Sequence, residues 1–284
     1  MSIPDPQIQA EILAQALPYI QRWHGRAIVI KYGGAAMTDD DLCGKVMQDI
    51  VLMQFVGIRP IVVHGGGPEI NEAMKKLGKE PVFHNGLRVT DAETMEIVEM
   101  VLSGKTNKRL VGEIGRLGGK AVGLSGKDGL TILARQLSPE LGLVGEILRV
   151  DAGLLEVLTN SGYIPVISTI AAGESGETYN LNADHAAGSV AAAIGAAKLI
   201  VLTDVPGVLA DSDDPSSLIT EFSRDEAARV VAEGHAKGGM IPKIEACLTA
   251  LDGGVERAHI IDGRAPRSLL IECFTDHGIG TMVR

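Results

Sequence analysis

Cysteine is rare in this 284-residue sequence: Cys43, Cys247 and Cys273 are an odd number, far apart, with no CxxC or Cys/His spacing. That pattern suggests neither a disulfide framework nor a zinc site and fits a reducing cytoplasm. Positive charge is also short, with 26 Lys plus Arg against 36 acidic residues and a formal net charge of −10. Without any basic run, a general electrostatic grip on nucleic acid or on an anionic membrane is excluded, so an anionic ligand would need local cations. Long apolar runs are missing too. The nearest to a membrane span, Ala183 to Leu202, is broken by Asp184, His185 and Lys198, and the N-terminus shows no basic stretch followed by an apolar one. Neither GxxxxGK[ST] nor a GxGxxG after a first strand occurs, which rules out a P-loop and disfavours a standard dinucleotide site. Aromatics number only nine. A ligand site here has few stacking surfaces and must work with other groups.

Glycine is what the chain has in excess, with 35 residues, and the glycines punctuate an α/β pattern. The length suits one domain or two closely packed lobes. Residues 6–23 carry apolar groups at helical spacing (Ile8, Ile12, Leu13, Ala16, Leu17, Ile20) with Pro18 as a kink. Continuous Val/Ile runs at 27–30, 60–63 and 199–202 read as strands covered on both faces, hence a parallel sheet between helices. Further strands are predicted at 121–124, 131–134, 145–150, 164–168 and 257–261, and a hairpin with an Asn-Gly turn at 82–90. Helices are predicted at 69–77, 91–102, 105–117, 151–161, 184–194, 224–233 and 241–252.

Three glycine stretches resemble anion loops: Lys31-Tyr-Gly33-Gly34, His64-Gly65-Gly66-Gly67-Pro and Gly238-Gly239-Met240. Glycine after a buried strand turns backbone N–H groups toward an anion, and a following helix adds its positive end. One such loop is equally an ordinary bend. Three, two of them near a lysine (Lys31, Lys243), point to phosphate handling. Asp184, at a helix start in an otherwise uncharged stretch, is the carboxylate able to hold both lysines, although alone it reads as a helix-start aspartate. Phosphoryl transfer needs this kit: cations on the migrating group, N–H donors on its oxygens and magnesium on the nucleotide.

Taken in order from residue 27 to the C-terminus, Lys31-Tyr-Gly-Gly, His64-Gly-Gly-Gly-Pro, Asn85-Gly-Leu-Arg-Val-Thr, Tyr179-Asn-Leu-Asn-Ala-Asp, Leu202-Thr-Asp-Val-Pro-Gly and Gly238-Gly-Met-Ile-Pro-Lys resemble the acetylglutamate kinases of the amino acid kinase superfamily. The Asn85–Thr90 segment distinguishes them from carbamate, aspartate and uridylate kinases. The resemblance implies an α/β fold, a three-layer αβα sandwich with a central, mainly parallel sheet plus an N-terminal helix. It implies an N-terminal oligomerisation helix in residues 1–25, an acetylglutamate-binding lobe in 26–195, and an ATP-binding lobe with a C-terminal regulatory segment in 196–284. The implied activity is ATP-dependent phosphorylation of the N-acetyl-L-glutamate side chain, with Mg2+ accompanying ATP and no metal-ligating side chains assigned. By family position, Lys31, Lys243 and Asp184 are catalytic, and Gly66, Gly67, Arg88 and Asn180 bind the acid. Gly33, Gly34, Thr203, Asp204, Gly207, Gly239 and Met240 lie with ATP. His64 is read as structural and His277 receives no role. The N-terminal helix and the Glu272–Gly278 end resemble the arginine-inhibited hexameric members, which are trimers of dimers, with Glu272 and Gly278 at the inhibitor. Some such members bind a PII-type signal protein, and Arg224 lies where a contact of that kind would fall. The alternatives are another amino acid kinase, acting on carbamate or glutamate, or a catalytically silent nucleotide- or arginine-sensing module.

Overall fold

The computed structural model describes residues 5–37, 39–211 and 214–284. Helices α1 (Pro6–Gln15) and α2 (Leu17–Trp23) precede β1 (Ala27–Tyr32), α3 (Asp40–Phe55), β2 (Arg59–His64) and α4 (Gly67–Lys76). The hairpin β3 (Phe83–His84) and β4 (Leu87–Arg88) leads into α5 (Ala92–Glu99), a π-helical segment (Met100–Thr106) and α6 (Asn107–Arg116). Then come β5 (Ala121–Ser125), β6 (Ile132–Gln136), β7 (Gly145–Val150), α7 (Gly153–Asn160), β8 (Ile164–Ser168), β9 (Ile170–Ala172) and β10 (Thr178–Asn180). The chain continues through α8 (Ala183–Ala193), β11 (Lys198–Thr203), β12 (Glu221–Phe222), α9 (Arg224–Ala232), α10 (Met240–Asp252), β13 (Arg257–Asp262), α11 (Ser268–Phe274) and β14 (Thr281–Val283).

The main sheet has the order β12-β14-β13-β11-β1-β2-β8-β5. From β13 to β5 every neighbouring pair is parallel, and β14 lies antiparallel to β13. The continuous apolar runs explain this arrangement, because each strand must bury both faces. Successive side chains alternate across the sheet. Ile28, Ile30 and Tyr32 pack with α3, α6, α11 and Trp23, whereas Val29 packs with α8 and α10. Lys31 shares the parity of Val29, so its side chain points toward α8. Helices thus cover both faces, which makes the three-layer αβα sandwich with its N-terminal helix. A smaller sheet, β10-β9-β6-β7, and the β3-β4 hairpin complete the sheet structure of the described residues. Asn85 (φ 49°) and Gly86 (φ 79°) make the hairpin turn anticipated from the Asn-Gly pair.

Three expectations change. The helices predicted at 91–102 and 105–117 are one continuous coil, joined by the π-helical turns at Met100–Thr106. There the buried face passes from one cluster, with Val98, Val101 and Leu102, to another containing Leu110 and Ile114, and a wider turn re-phases the side chains. Helix α3 was not anticipated, although Cys43, Val46, Met47, Ile50 and Met53 are buried along it and Asp39 caps it. Gly238 and Gly239 follow helix α9 rather than a strand and lead directly into α10. Helices α8 and α10 cross closely: a Cβ on Gly188 would lie 2.5 Å from the Ala246 carbonyl oxygen. Among the described residues, no helix is long and apolar enough to cross a membrane.

Candidate active site

The carboxyl ends of β1, β2 and β11 lie side by side where the chain reverses its direction of travel across the sheet, the position at which open parallel sheets bind ligands. Lys31 comes from the end of β1, Asp184 from the first turn of α8 and Lys243 from the first turn of α10. Lys31 Nζ forms an ion pair with Asp184 Oδ1 at 3.0 Å, and Lys243 Nζ donates to Asp184 Oδ2 at 3.0 Å. The Asn182 side chain fixes the start of α8 by accepting from the Asp184 and His185 amides at 2.8 and 3.1 Å. Asp184 and Lys31 are only 6% and 7% exposed. Burial alone would raise the Asp184 carboxyl, but the two ammonium groups outweigh it and hold the pKa below its ordinary value. Burial pushes Lys31 down, Asp184 opposes this and Lys243 adds repulsion, with a net lowering. Two lysines and one carboxylate leave one net positive charge. Removing one member of such a buried set leaves uncompensated charge and typically costs about 3–5 kcal/mol.

The glycine loops converge on Lys31. A Cβ on Gly33 would lie 3.4 Å from Lys31 Nζ and 3.7 Å from the Gly65 nitrogen, and one on Gly65 would lie 3.3 Å from the Ala183 Cβ. Gly34 has φ 72°, a left-handed conformation that glycine adopts without strain. Gly66 is the residue before α4 and Gly67 its first. A Cβ on Gly66 would lie 2.6 Å from Leu102 Cδ2, so any larger residue would have to displace that buried side chain.

Arg88, on β4, is 7% exposed. Its guanidinium donates to Asn71 Oδ1 at 2.6 Å and the Gly67 carbonyl at 3.3 Å, and lies 4.8 Å from the centre of the Phe83 ring. Burial lowers its pKa. No acidic side chain among the described residues pairs with it, so this buried cation has unspent capacity for an anion. Asn180 Nδ2 reaches Thr90 Oγ1 at 3.3 Å, and Thr90 Oγ1 donates to the Arg88 carbonyl at 2.9 Å, which ties these three residues together.

A cavity of about 850 Å³ opens beside Lys243, lined by Thr203, Asp204, Gly207, Gly239 and Met240. All five were expected with nucleotide. Gly33 and Gly34 lie outside that lining, on the Lys31 side. Gly207 has no room for a side chain, since a Cβ would lie 2.7 Å from Thr281 Oγ1. A second cavity, of about 240 Å³, lies between α2 and the C-terminal segment and is lined in part by Trp23, Lys198, His259, Glu272 and Gly278. Glu272 Oε1 pairs with Lys198 Nζ at 2.8 Å and His259 Nδ1 at 2.9 Å. Burial raises the Glu272 carboxyl, but His259 and Lys198 win and its pKa falls below the usual value. Trp23 Nε1 donates to the Cys273 carbonyl at 3.0 Å, which docks α2 on this end of the molecule.

Sequence reasoning missed Lys198, His259 and Asn107. The first two left a signal as charged or polar residues within apolar strands. Asn107 left none. Its amide reaches the buried His64, whose ring contacts the Gly65 carbonyl, so His64 belongs to the packing behind the glycine loop.

Residues 26–262 match the model of the amino acid kinase family, and the chain belongs to that family. Within it, the chain belongs with the acetylglutamate kinases. It is 56% identical to the acetylglutamate kinase of Symbiobacterium thermophilum, with 97% of each chain covered. Among solved structures, N-acetylglutamate synthase from Neisseria gonorrhoeae complexed with coenzyme A and N-acetyl-glutamate superposes with a TM-score of 0.84 at 28% identity over 96% of this chain. The same synthase complexed with coenzyme A and L-arginine gives 0.81 at 26% identity over 96%. The chain spans 63% and 65% of the length of those two synthase chains.

Burial holds the His64 imidazole neutral, pushing its pKa down to about 4 from 6.5. Between those values the unfolded chain binds the proton more readily, so stability from the neutral ring is full above about pH 6.5 and is lost as pH falls toward 4, on the order of 3 kcal/mol in all. Urea unfolding of wild type and His64→Asn at pH 7, 5.5 and 4.5 should give curves that converge toward acid. A constant separation would contradict the assignment.

Proposed function

We infer that the protein is a transferase that moves the γ-phosphoryl group of ATP to the side-chain carboxylate of N-acetyl-L-glutamate, giving N-acetyl-L-glutamyl 5-phosphate in arginine biosynthesis. One observation carries the chemistry: a buried carboxylate holding two lysines beside two glycine loops, in a chain more than half identical to an acetylglutamate kinase. A carboxylate acceptor is already ionised at neutral pH and needs no general base. What it needs is relief from repulsion by the phosphate and in-line placement. Lys31 and Lys243 supply charge to the migrating phosphoryl group, Asp184 orients them, and the Gly66 and Gly67 amides serve oxygens of the acceptor and the phosphoryl group. Arg88 suits a substrate carboxylate through its planar fork, and Asn180 completes the acid pocket. ATP lies with Thr203, Asp204, Gly207, Gly239 and Met240, its phosphates reaching toward Gly33 and Gly34. Magnesium enters with the nucleotide as part of the substrate. Among the described residues, no group of three or more His, Cys, Asp or Glu is arranged to hold a metal ion.

Residues 26–195 then form the acid-binding lobe and 196–284 the nucleotide lobe. Arginine is the feedback inhibitor in this reading, seated in the 240 Å³ cavity. Glu272 Oε2 and His259 Nε2 are buried there without hydrogen-bond partners, and a guanidinium offers five donors. The synthase structure that contains L-arginine supports the same reading. Helix α1 buries none of its residues, and Ile8, Ile12, Leu13 and Leu17 are each more than half exposed. That stripe suits interlacing with a second copy in a hexamer built as a trimer of dimers. Arg224, exposed and paired with Asp252 at 2.7 Å, is the residue for contact with a PII-type protein, on resemblance alone. A cytoplasmic location accords with the three free cysteines.

ADP release assayed with N-acetylglutamate, glutamate and carbamate should respond to the first alone, and turnover with either rival but not with N-acetylglutamate would refute the reading. Arg88→Lys should raise KM for N-acetylglutamate about tenfold or more, the loss of roughly 1.4 kcal/mol or more of binding, with KM for ATP little changed. Equal effects on both substrates would remove Arg88 from the acid pocket. Deleting residues 1–25 should convert a hexamer to a dimer by light scattering and weaken arginine inhibition, whereas an intact, fully inhibited hexamer would reject that part.

A further inference from the structure

His64 ends β2 immediately before the glycine loop, and its ring is completely buried. Nδ1 lies 2.8 Å from the Gly65 carbonyl oxygen, and Nε2 lies 3.1 Å from Asn107 Nδ2. The hydrogen positions follow from the partners. Asn107 Nδ2 also reaches the carbonyls of Val166 at 2.8 Å and Leu124 at 3.3 Å. Carbonyls only accept, so this end of the amide is the NH2 group, which shares its two N–H between Nε2 and the two carbonyls and cannot accept a proton from Nε2. The Lys108 ammonium on Asn107 Oδ1 at 3.1 Å agrees. The proton of the neutral imidazole therefore sits on Nδ1 and is donated to the Gly65 carbonyl.

A trans peptide is planar, so the Gly65 carbonyl and the Gly66 N–H point in opposite directions. Holding the carbonyl against the buried ring turns the Gly66 N–H away from it. Two further contacts keep the loop from rotating: the Gly65 N–H donates to the Tyr32 carbonyl at 3.2 Å, and Leu102, from the π-helical segment, fills the space behind Gly66. Asn107 follows that same segment. It fits only because residue 123 is glycine, where a Cβ would lie 1.9 Å from Asn107 Oδ1.

We propose that His64 and Asn107 are positioning residues for phosphoryl transfer: Asn107 orients the ring, and the ring fixes the Gly65–Gly66 peptide so that the Gly66 amide meets the migrating phosphoryl oxygens. The proposal rests on the role given above to Gly66. It deepens that role by naming what aims the donor. His64 neither touches the reacting atoms nor exchanges a proton with them.

Asn places an amide N–H near the Nδ1 position of histidine, Gln places an acceptor near the Nε2 position, and Leu supplies neither. Steady-state kinetics of the His64→Asn, His64→Gln and His64→Leu enzymes, each checked by thermal unfolding and assayed well below its Tm, separate aim from packing. Misaiming one preorganised donor should lower kcat of the Gln and Leu enzymes by about tenfold or more, with KM for ATP within about threefold of wild type. Asn should recover most of that loss. Asn107→Ala should resemble Gln and Leu in kcat, and the His64 series decides the matter if that variant does not fold. Folded Gln and Leu enzymes with wild-type kcat, or an Asn enzyme as slow as Leu, would overturn the proposal. A wild-type enzyme without turnover on N-acetylglutamate would instead overturn the reading of Gly66 beneath it, and the proposal with it.

Discussion

A single buried carboxylate between two lysines sets the geometry on which the rest of this molecule depends. Asp184 is on α8, Lys31 on β1 and Lys243 on α10, so one ion triad joins the central strand to two helices packed on its face. The fold makes the meeting possible. Lys31 shares the parity of Val29 and must face α8, and the Gly188–Ala246 crossing brings α10 close to α8 about one turn beyond the triad. The triad in turn leaves one positive charge where the two glycine loops meet. Charge of this kind is worth most when it is preorganised away from water, because nothing must reorganise as the phosphoryl group moves.

The same geometry reconciles a net charge of −10 with an anionic ligand. Lys31, Lys243 and Arg88 point inward and Glu272 holds Lys198, while many of the remaining ion pairs lie on the surface, where each contributes little. The shortage of aromatic rings also fits. The proposed pockets are built from backbone amides, cations and small residues, and Gly66 and Gly207 are sites where a larger residue would collide with Leu102 or Thr281.

Much of the fold was legible because strands buried on both faces leave continuous apolar runs, and β1, β2 and β11 fall where those runs are. The glycine loops and the lysine–aspartate set were legible because charge and glycine stand out against an apolar background. Other features left no local mark. The π-helical joint depends on which cluster each end of the coil packs into, a tertiary fact. Asn107 acts through partners at 64, 124 and 166, and no spacing in the sequence announces that set. Helix α3 was legible in principle from Cys43, Val46, Met47, Ile50 and Met53, apolar residues at helical spacing. Gly238 and Gly239 resembled a post-strand loop because glycine before a helix looks alike whether a strand or a helix comes first.

The central claim is that Asp184 holds both lysines in the arrangement that moves the phosphoryl group, and kcat of Asp184→Asn measures it most directly. Asn keeps the size but removes the charge, leaving two ammonium groups facing each other. With the variant folded at the assay temperature by circular dichroism, kcat should fall about 100-fold or more while KM for ATP and N-acetylglutamate stays within about threefold, the signature of an interaction made mainly in the transition state. A folded Asp184→Asn enzyme with wild-type kcat would contradict the account.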